Sequence, residues 1–73
     1  PELVQYLNAQ VLMKEKNWGG AAELLEKAQL YLATQVEARD LNKRVLMLLG
    51  ECYANLNEPN LRHDAYRRAV ALD

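Results

Sequence analysis

Leu49-Gly50-Glu51-Cys52-Tyr53 and Tyr66-Arg67-Arg68-Ala69-Val70-Ala71-Leu72-Asp73 are the two stretches on which the fold turns. In the first, the small Gly50 is followed three positions on by the large Tyr53. In the second, the large Tyr66 is followed three positions on by Ala69. Residues three apart share a helix face. The same pattern stands 41 residues earlier, as Ala9 with Leu12 and then Leu25 with Ala28. A common spacing over four positions, with the order of helices kept, predicts one helix hairpin used twice.

Apolar periodicity around these stretches predicts four helices. The first is Glu2 to Lys16, with Leu3, Leu7 and Val11 at helical spacing and Val4 and Leu12 widening the stripe. Pro1 suits a first-turn position, and Lys14 and Lys16 suit the negative end of the helix dipole. The second runs from Trp18 to about Ala33 behind an Asn17 cap, with Ala21, Leu24, Leu25, Ala28 and Leu32 on its apolar face. Glu23 and Lys27 pair at i,i+4 on its outer face. Gly19 and Gly20 are small enough to admit a neighbouring helix.

Thr34-Gln35-Val36-Glu37 has the form of a capping box, with Glu37 as its reciprocal member. From it a third helix of about 20 residues is predicted to end near Leu56, its apolar positions running from Val36 through Leu41, Val45, Leu48, Leu49, Cys52, Tyr53 and Leu56. Asn57-Glu58-Pro59-Asn60 is turn chemistry. The fourth helix follows, from Pro59 or Asn60 to Leu72, with Ala65, Tyr66, Ala69, Val70 and Leu72 on its buried side. Short joints make neighbouring helices antiparallel. The expected architecture is all-α, two antiparallel hairpins in one domain over residues 1–73. One repeat covers about 2–33 and the other about 36–73.

The second half, Leu49-Gly50-x-x-Tyr53 and then Tyr66-x-x-Ala69 closing on Leu72-Asp73, resembles a tetratricopeptide repeat. In the first half Ala9, Leu12, Trp18, Ala21, Leu25 and Ala28 follow the same plan. The departures are Asn8 where that family prefers Leu, Arg62 where it prefers Ala, and a period of 41 in place of 34. The seven extra residues fall around Thr34 to Leu41, as added turns on the third helix. Another αα-solenoid with a repeat near 40 residues stays open beside the tetratricopeptide reading. The resemblance implies a short right-handed α-solenoid and a concave groove lined by the first helix of each hairpin. By position, Tyr6, Gln10 and Met13 would face that groove from one repeat, and Arg44, Met47, Glu51 and Asn55 from the other. Each set has i, i+3/i+4, i+7 spacing. The bland reading of Tyr6 and Met47 is that they are core. One branch of the family grips a C-terminal carboxylate with Lys and Asn four residues apart. The matching pairs here, Tyr6 with Gln10 and Met47 with Glu51, lack that chemistry.

The 73 residues are 51% hydrophobic and 26% charged, with three Gly and two Pro, which suits one small globular domain. A net charge of −1 lacks the basic footprint of a nucleic-acid binder. No apolar run approaches the roughly 18 residues of a membrane span, and no signal leader is visible. A chain that opens on Pro1 is expected to be part of a longer protein. One Cys and one His make neither a disulfide nor a metal set. Cys52 reads as a small buried hydrophobe and His63 as a solvated residue. Arg62, Arg67 and Arg68, Lys43 with Arg44, and Glu23 with Glu26 read as solvated charge. No acid–base pair or phosphate loop stands out, so no enzyme and no cofactor is expected. The expected role is a protein-interaction scaffold holding a peptide or helix of a partner protein. The alternative is an assembly element that self-associates through exposed repeat ends, with Val70 and Leu72 as the edge.

Overall fold

The two hairpin joints have the same backbone. The computed structural model describes residues 2–72, and side chains from residue 3 onward. Helix α1 spans Glu2–Lys14 and α2 Trp18–Leu32. A 3-10 turn, Val36–Ala38, leads into α3, Arg39–Asn55, and α4 is Pro59–Val70. Beyond α1, the Asn17 N–H donates to the Leu12 carbonyl at 2.8 Å and the Lys16 N–H to Met13 at 2.9 Å. Beyond α3, the Glu58 N–H donates to Tyr53 at 2.9 Å and the Asn57 N–H to Ala54 at 3.3 Å. Both are Schellman closures, and each needs one residue in the left-handed region. Lys16 (φ 63°) and Asn57 (φ 58°) fill those places. The joints therefore superpose at the 41-residue offset, Lys16 on Asn57 and Trp18 on Pro59. Asn tolerates that conformation; Lys costs about 1 kcal/mol more. Lys16→Gly is accordingly expected to raise stability by about 0.5–1 kcal/mol, read from the midpoint of a urea or thermal melt.

The first turn of α2 is closed as expected: the Asn17 side chain accepts the Gly20 N–H at 3.0 Å. Thr34 does something else. Its hydroxyl donates to the Tyr31 carbonyl at 2.7 Å, and the Gln35 side chain donates to Thr34 Oγ1 at 3.1 Å. The expected capping box is thus absent. Thr34 serves the end of α2, and neither the 3-10 turn nor α3 has a side-chain cap. Glu37 lies in the 3-10 turn without the capping role expected of it. Val36 stands 81% exposed, so the predicted helix of about 20 residues is a 3-10 turn followed by a 17-residue helix.

The substantial packing runs between successive helices, α1 on α2, α2 on α3 and α3 on α4. The molecule measures 30 × 25 × 14 Å. A flat row of helices would be far thinner than this across its Cα atoms, so successive helices form a curved layer in which Arg68 of α4 also reaches α2. Helices α2 and α3 have neighbours on both flanks; α1 and α4 have one. The core follows from that arrangement. Ala21, Ala22, Leu25, Ala28 and Leu32 of α2 are buried, and so are Val45, Leu46, Leu49, Cys52 and Tyr53 of α3. Asn42 is buried among them with its Oδ1 unpartnered, a cost of about 1–3 kcal/mol within the α3 face.

The edge helices correct the sequence reading. On α1 the buried residues are Tyr6 and Ala9, with Leu12 and Met13 packed beside them. The predicted stripe of Leu3, Val4, Leu7 and Val11 faces solvent, each residue 50–54% exposed. The helix has a single neighbour, and Ala9 lets α2 approach closely on the other side. On α4 only Ala65 and Ala69 are fully covered; Tyr66 and Leu72 are half-buried, and Val70 is exposed rather than buried. Gly19 and Gly20 admit no second helix: open space surrounds the first, and the Asn17 side chain faces the second. The close approach is at Gly50, where the Tyr66 ring of α4 occupies the place a Cβ would need.

Candidate protein-interaction surface

Helix α3 presents Arg44, Met47, Glu51 and Asn55 to solvent along one side. The Asn55 side chain turns back to its own helix, donating from Nδ2 to the Glu51 carbonyl at 2.9 Å. Across the layer, Gln10 of α1 is exposed and Met13 is half-buried. Tyr6 is not part of this surface; it is 7% exposed and belongs to the core. Helix α2 packs on both α1 and α3. A shallow hollow sits between their upper ends, where Leu3, Tyr31, Leu32 and Leu41 meet beside Glu37.

The opposite side of α3 carries a polar network that no local spacing announced. The Tyr53 hydroxyl donates to Glu26 Oε2 of α2 at 2.6 Å. Arg68 of α4 comes within 3.6 Å of the same oxygen and donates to Gln29 Oε1 at 3.5 Å. Its Nε lies 3.1 Å from Asp64, a charge contact in which the N–H itself is not aimed at the carboxylate. Arg67 pairs with the other Asp64 oxygen at 2.5 Å. Glu26 and Arg68 are therefore members of a network that draws α2 and α4 together over Tyr53, in place of the solvated charges expected, whereas Arg67 stays exposed beside Asp64 of its own helix. Burial, reinforced by the hydrogen bond to Glu26, raises the Tyr53 phenol well above its ordinary range. Glu23 and Lys27 pair at 3.8 Å on the exposed face of α2, as their spacing indicated.

Cys52 is fully buried, and that burial, with the nearby Glu51 charge second, pushes its thiol up from 9.0 to about 11. The sign is that of an acid held neutral by folding. Below pH 9.0 both states keep the proton; above it the unfolded chain loses it first. Stability is expected to fall as pH rises from 9.0 toward about 11, and Cys52→Ala to remove that part of the slope in a melting series. His63 is exposed. Among the described residues no group of three or more His, Cys, Asp or Glu could hold a metal ion. No helix there is long and apolar enough to cross a membrane.

The surface that sequence reasoning missed is the outer face of α1. Val4, Leu7 and Val11 share it, while Leu3 turns toward the hollow beside Leu32 and Leu41, and Leu7 and Val11 line a shallow hollow with Gln10 and Lys14. Its signal in the sequence is helical spacing, which a core face and an exposed face share. Polar side chains, Gln10 and Lys14 among them, rim this aliphatic stripe. No protein-family model matches the chain, and no curated protein or solved structure matches it significantly.

Proposed function

We propose that the chain is a protein-interaction module of the tetratricopeptide-like kind, two stacked hairpins that hold a peptide or helix of a partner protein. The observation that carries the proposal is the outer face of α1. Three large aliphatic side chains, Val4, Leu7 and Val11, stand half exposed there at i, i+3 and i+7. Covering one such side chain is worth about 1.5–3 kcal/mol when burial is complete, so a helix laid along the stripe gains enough to bind. The solenoid-like part of the reading is supported by the joints that superpose at 41 residues, by Gly50 against Tyr66, and by the convergence of α2 and α4 over Tyr53.

A second contact surface is favoured by Met47, 48% exposed between Arg44 and Glu51 on the expected concave side. A flexible thioether flanked by opposite charges suits a peptide carrying its own charged and apolar positions. Photo-crosslinking in extract of the source cell separates the surfaces, with probes at Leu7, at Met47 and at the outward Glu23 as a control. A foreign protein joined at Leu7 and not at Glu23 is the expected product. One joined only at Met47 moves the binding site to the concave stripe. A product made of this chain alone establishes the assembly alternative. No specific product at either position removes the interaction-module reading.

A further inference from the structure

We infer that the outer face of α1 takes an antiparallel helix of α2's own kind, with a small residue in the N-terminal half of its contact stripe and acidic residues in its first turn. This rests on reading the chain as an interaction module and names the partner's surface.

The internal equivalence supplies the template. At the 41-residue offset, Val4, Leu7 and Val11 of α1 stand where Val45, Leu48 and Cys52 stand in α3. In α3, which is flanked by both α2 and α4, Val45 and Cys52 are fully buried and Leu48 is half-buried. Helix α1 has α2 on the flank that corresponds to α4, shown by Ala9 at the position of Gly50 being fully buried. The flank that corresponds to α2 is empty, and Val4 and Val11 are 50% and 54% exposed. The same residue positions are thus core in one hairpin and surface in the other. What differs is the presence of a helix on that side.

The α2 side of the internal junction is narrow. Ala22 is 5% exposed there, followed on the same face by Glu26, which accepts from Tyr53, and Gln29, which accepts from Arg68. A small residue lets two helices close on branched aliphatic side chains without forcing either off its rotamer. At the far end of α1 stand exposed Lys14 and Lys16. An antiparallel partner brings its N-terminal turn to that end, where carboxylates complement both the lysines and the partner's own dipole.

The chain's own α4 fits this role poorly. Its residues equivalent to Ala22, Glu26 and Gln29 are His63, Arg67 and Val70. Stacking copies head to tail would set the Arg67–Asp64 pair against Val4 and Val11, stripping water from an exposed ion pair whose desolvation the aliphatic side chains cannot offset by hydrogen bonding. A two-fold contact of α1 with α1 would set Val4, Leu7 and Val11 of both copies face to face, with no small residue among them to let the helices close. The two edges of the layer are therefore unlike. The α1 edge is aliphatic and receptive, and the α4 edge is charged.

The test is a titration of the isotopically labelled full chain, followed by amide resonances. The probes are stapled helical peptides: residues 17–35, the same peptide with Gly19→Glu and Gly20→Glu, and residues 58–72. The first is expected to move the resonances of Val4, Leu7 and Val11. The acidic version is expected to bind several-fold tighter, with an advantage that shrinks at high salt. The 58–72 peptide should bind at least about tenfold more weakly, and Leu7→Lys should weaken all binding at this face by about tenfold or more. Absence of shifts on the α1 face, or shifts that survive Leu7→Lys, overturns the inference. Concentration-dependent self-association that is lost with Leu7→Lys overturns it too, in favour of a second copy. If the peptides fail while a foreign protein still cross-links at Leu7, the partner helix is of another kind and the module reading stands.

Discussion

Leu49→Ala is expected to lower stability by about 3 kcal/mol, and Leu7→Ala by well under about 1 kcal/mol. Both are leucines in the apolar stripe of the first helix of a hairpin. Leu49 is fully buried, and Leu7 is 52% exposed. Truncating Leu49 removes its transfer free energy and leaves a void between helices that flank it on both sides. Truncating Leu7 removes surface that is already wet. A chain of this size holds about 4–11 kcal/mol in all, so the first change removes a large share. The thermal midpoint should fall by about 12–24 °C for Leu49→Ala and by only a few degrees for Leu7→Ala. Equal losses would mean that the α1 stripe is core after all, and the docking surface would vanish with it.

Gly50→Ala is the second large effect, and its sign is the informative part. Inside a helix, Gly→Ala is ordinarily favourable by about 1 kcal/mol. Here the new Cβ would enter the Tyr66 ring, and the helix pair must separate or the ring must leave. A clash this close belongs in the upper part of the overpacking range, about 2–3 kcal/mol, so the net change is expected to be a loss of about 1–2 kcal/mol. In a Tyr66→Ala background the obstacle is gone, and the same substitution should become stabilising by up to about 1 kcal/mol. The reversal, read from four urea melts, is the signature of the contact. A Gly50→Ala chain as stable as the parent would show that α3 and α4 do not meet there.

The four helices and their order were legible because each has a clear apolar period and each joint has a chemical mark. Asn17 caps, and Asn57 adopts the left-handed closure. Helix α2 was read correctly in its face as well, because its apolar residues form one stripe. Helix α1 was not, because it carries two: Val4, Leu7 and Val11 on one side, Tyr6, Ala9 and Met13 on another. Periodicity says which residues share a face and is silent on which face meets a neighbour. The Thr34 pattern failed for a related reason. A hydroxyl between two helices can close the first or open the second, and geometry alone decides. Gly50 and the pair Gly19-Gly20 are equally small in the sequence; only the path of α4 distinguishes them. The Glu26–Tyr53–Arg68 network joins residues 15 to 42 positions apart on three helices, which no local spacing could reveal. Of the expected groove residues, Arg44, Met47, Glu51 and Asn55 share an exposed side of α3, whereas Tyr6 lies inside. Burial of a single aromatic depends on tertiary contacts that the pattern does not contain.

The packing of each helix mainly on its chain neighbours has a kinetic consequence. Every major contact closes a loop no longer than one hairpin, so the entropy lost before contacts form is small. Chains of such low contact order fold in microseconds to milliseconds. Reopening should be graded in the same way. Helix α4, which seals only Ala65 and Ala69 completely, can peel from α3 once the Arg68 contacts part, while α1 and α2 stay paired. Amide protons of α4 would then exchange ahead of those in α2 and α3, and the receptive α1 edge would keep its shape through such excursions.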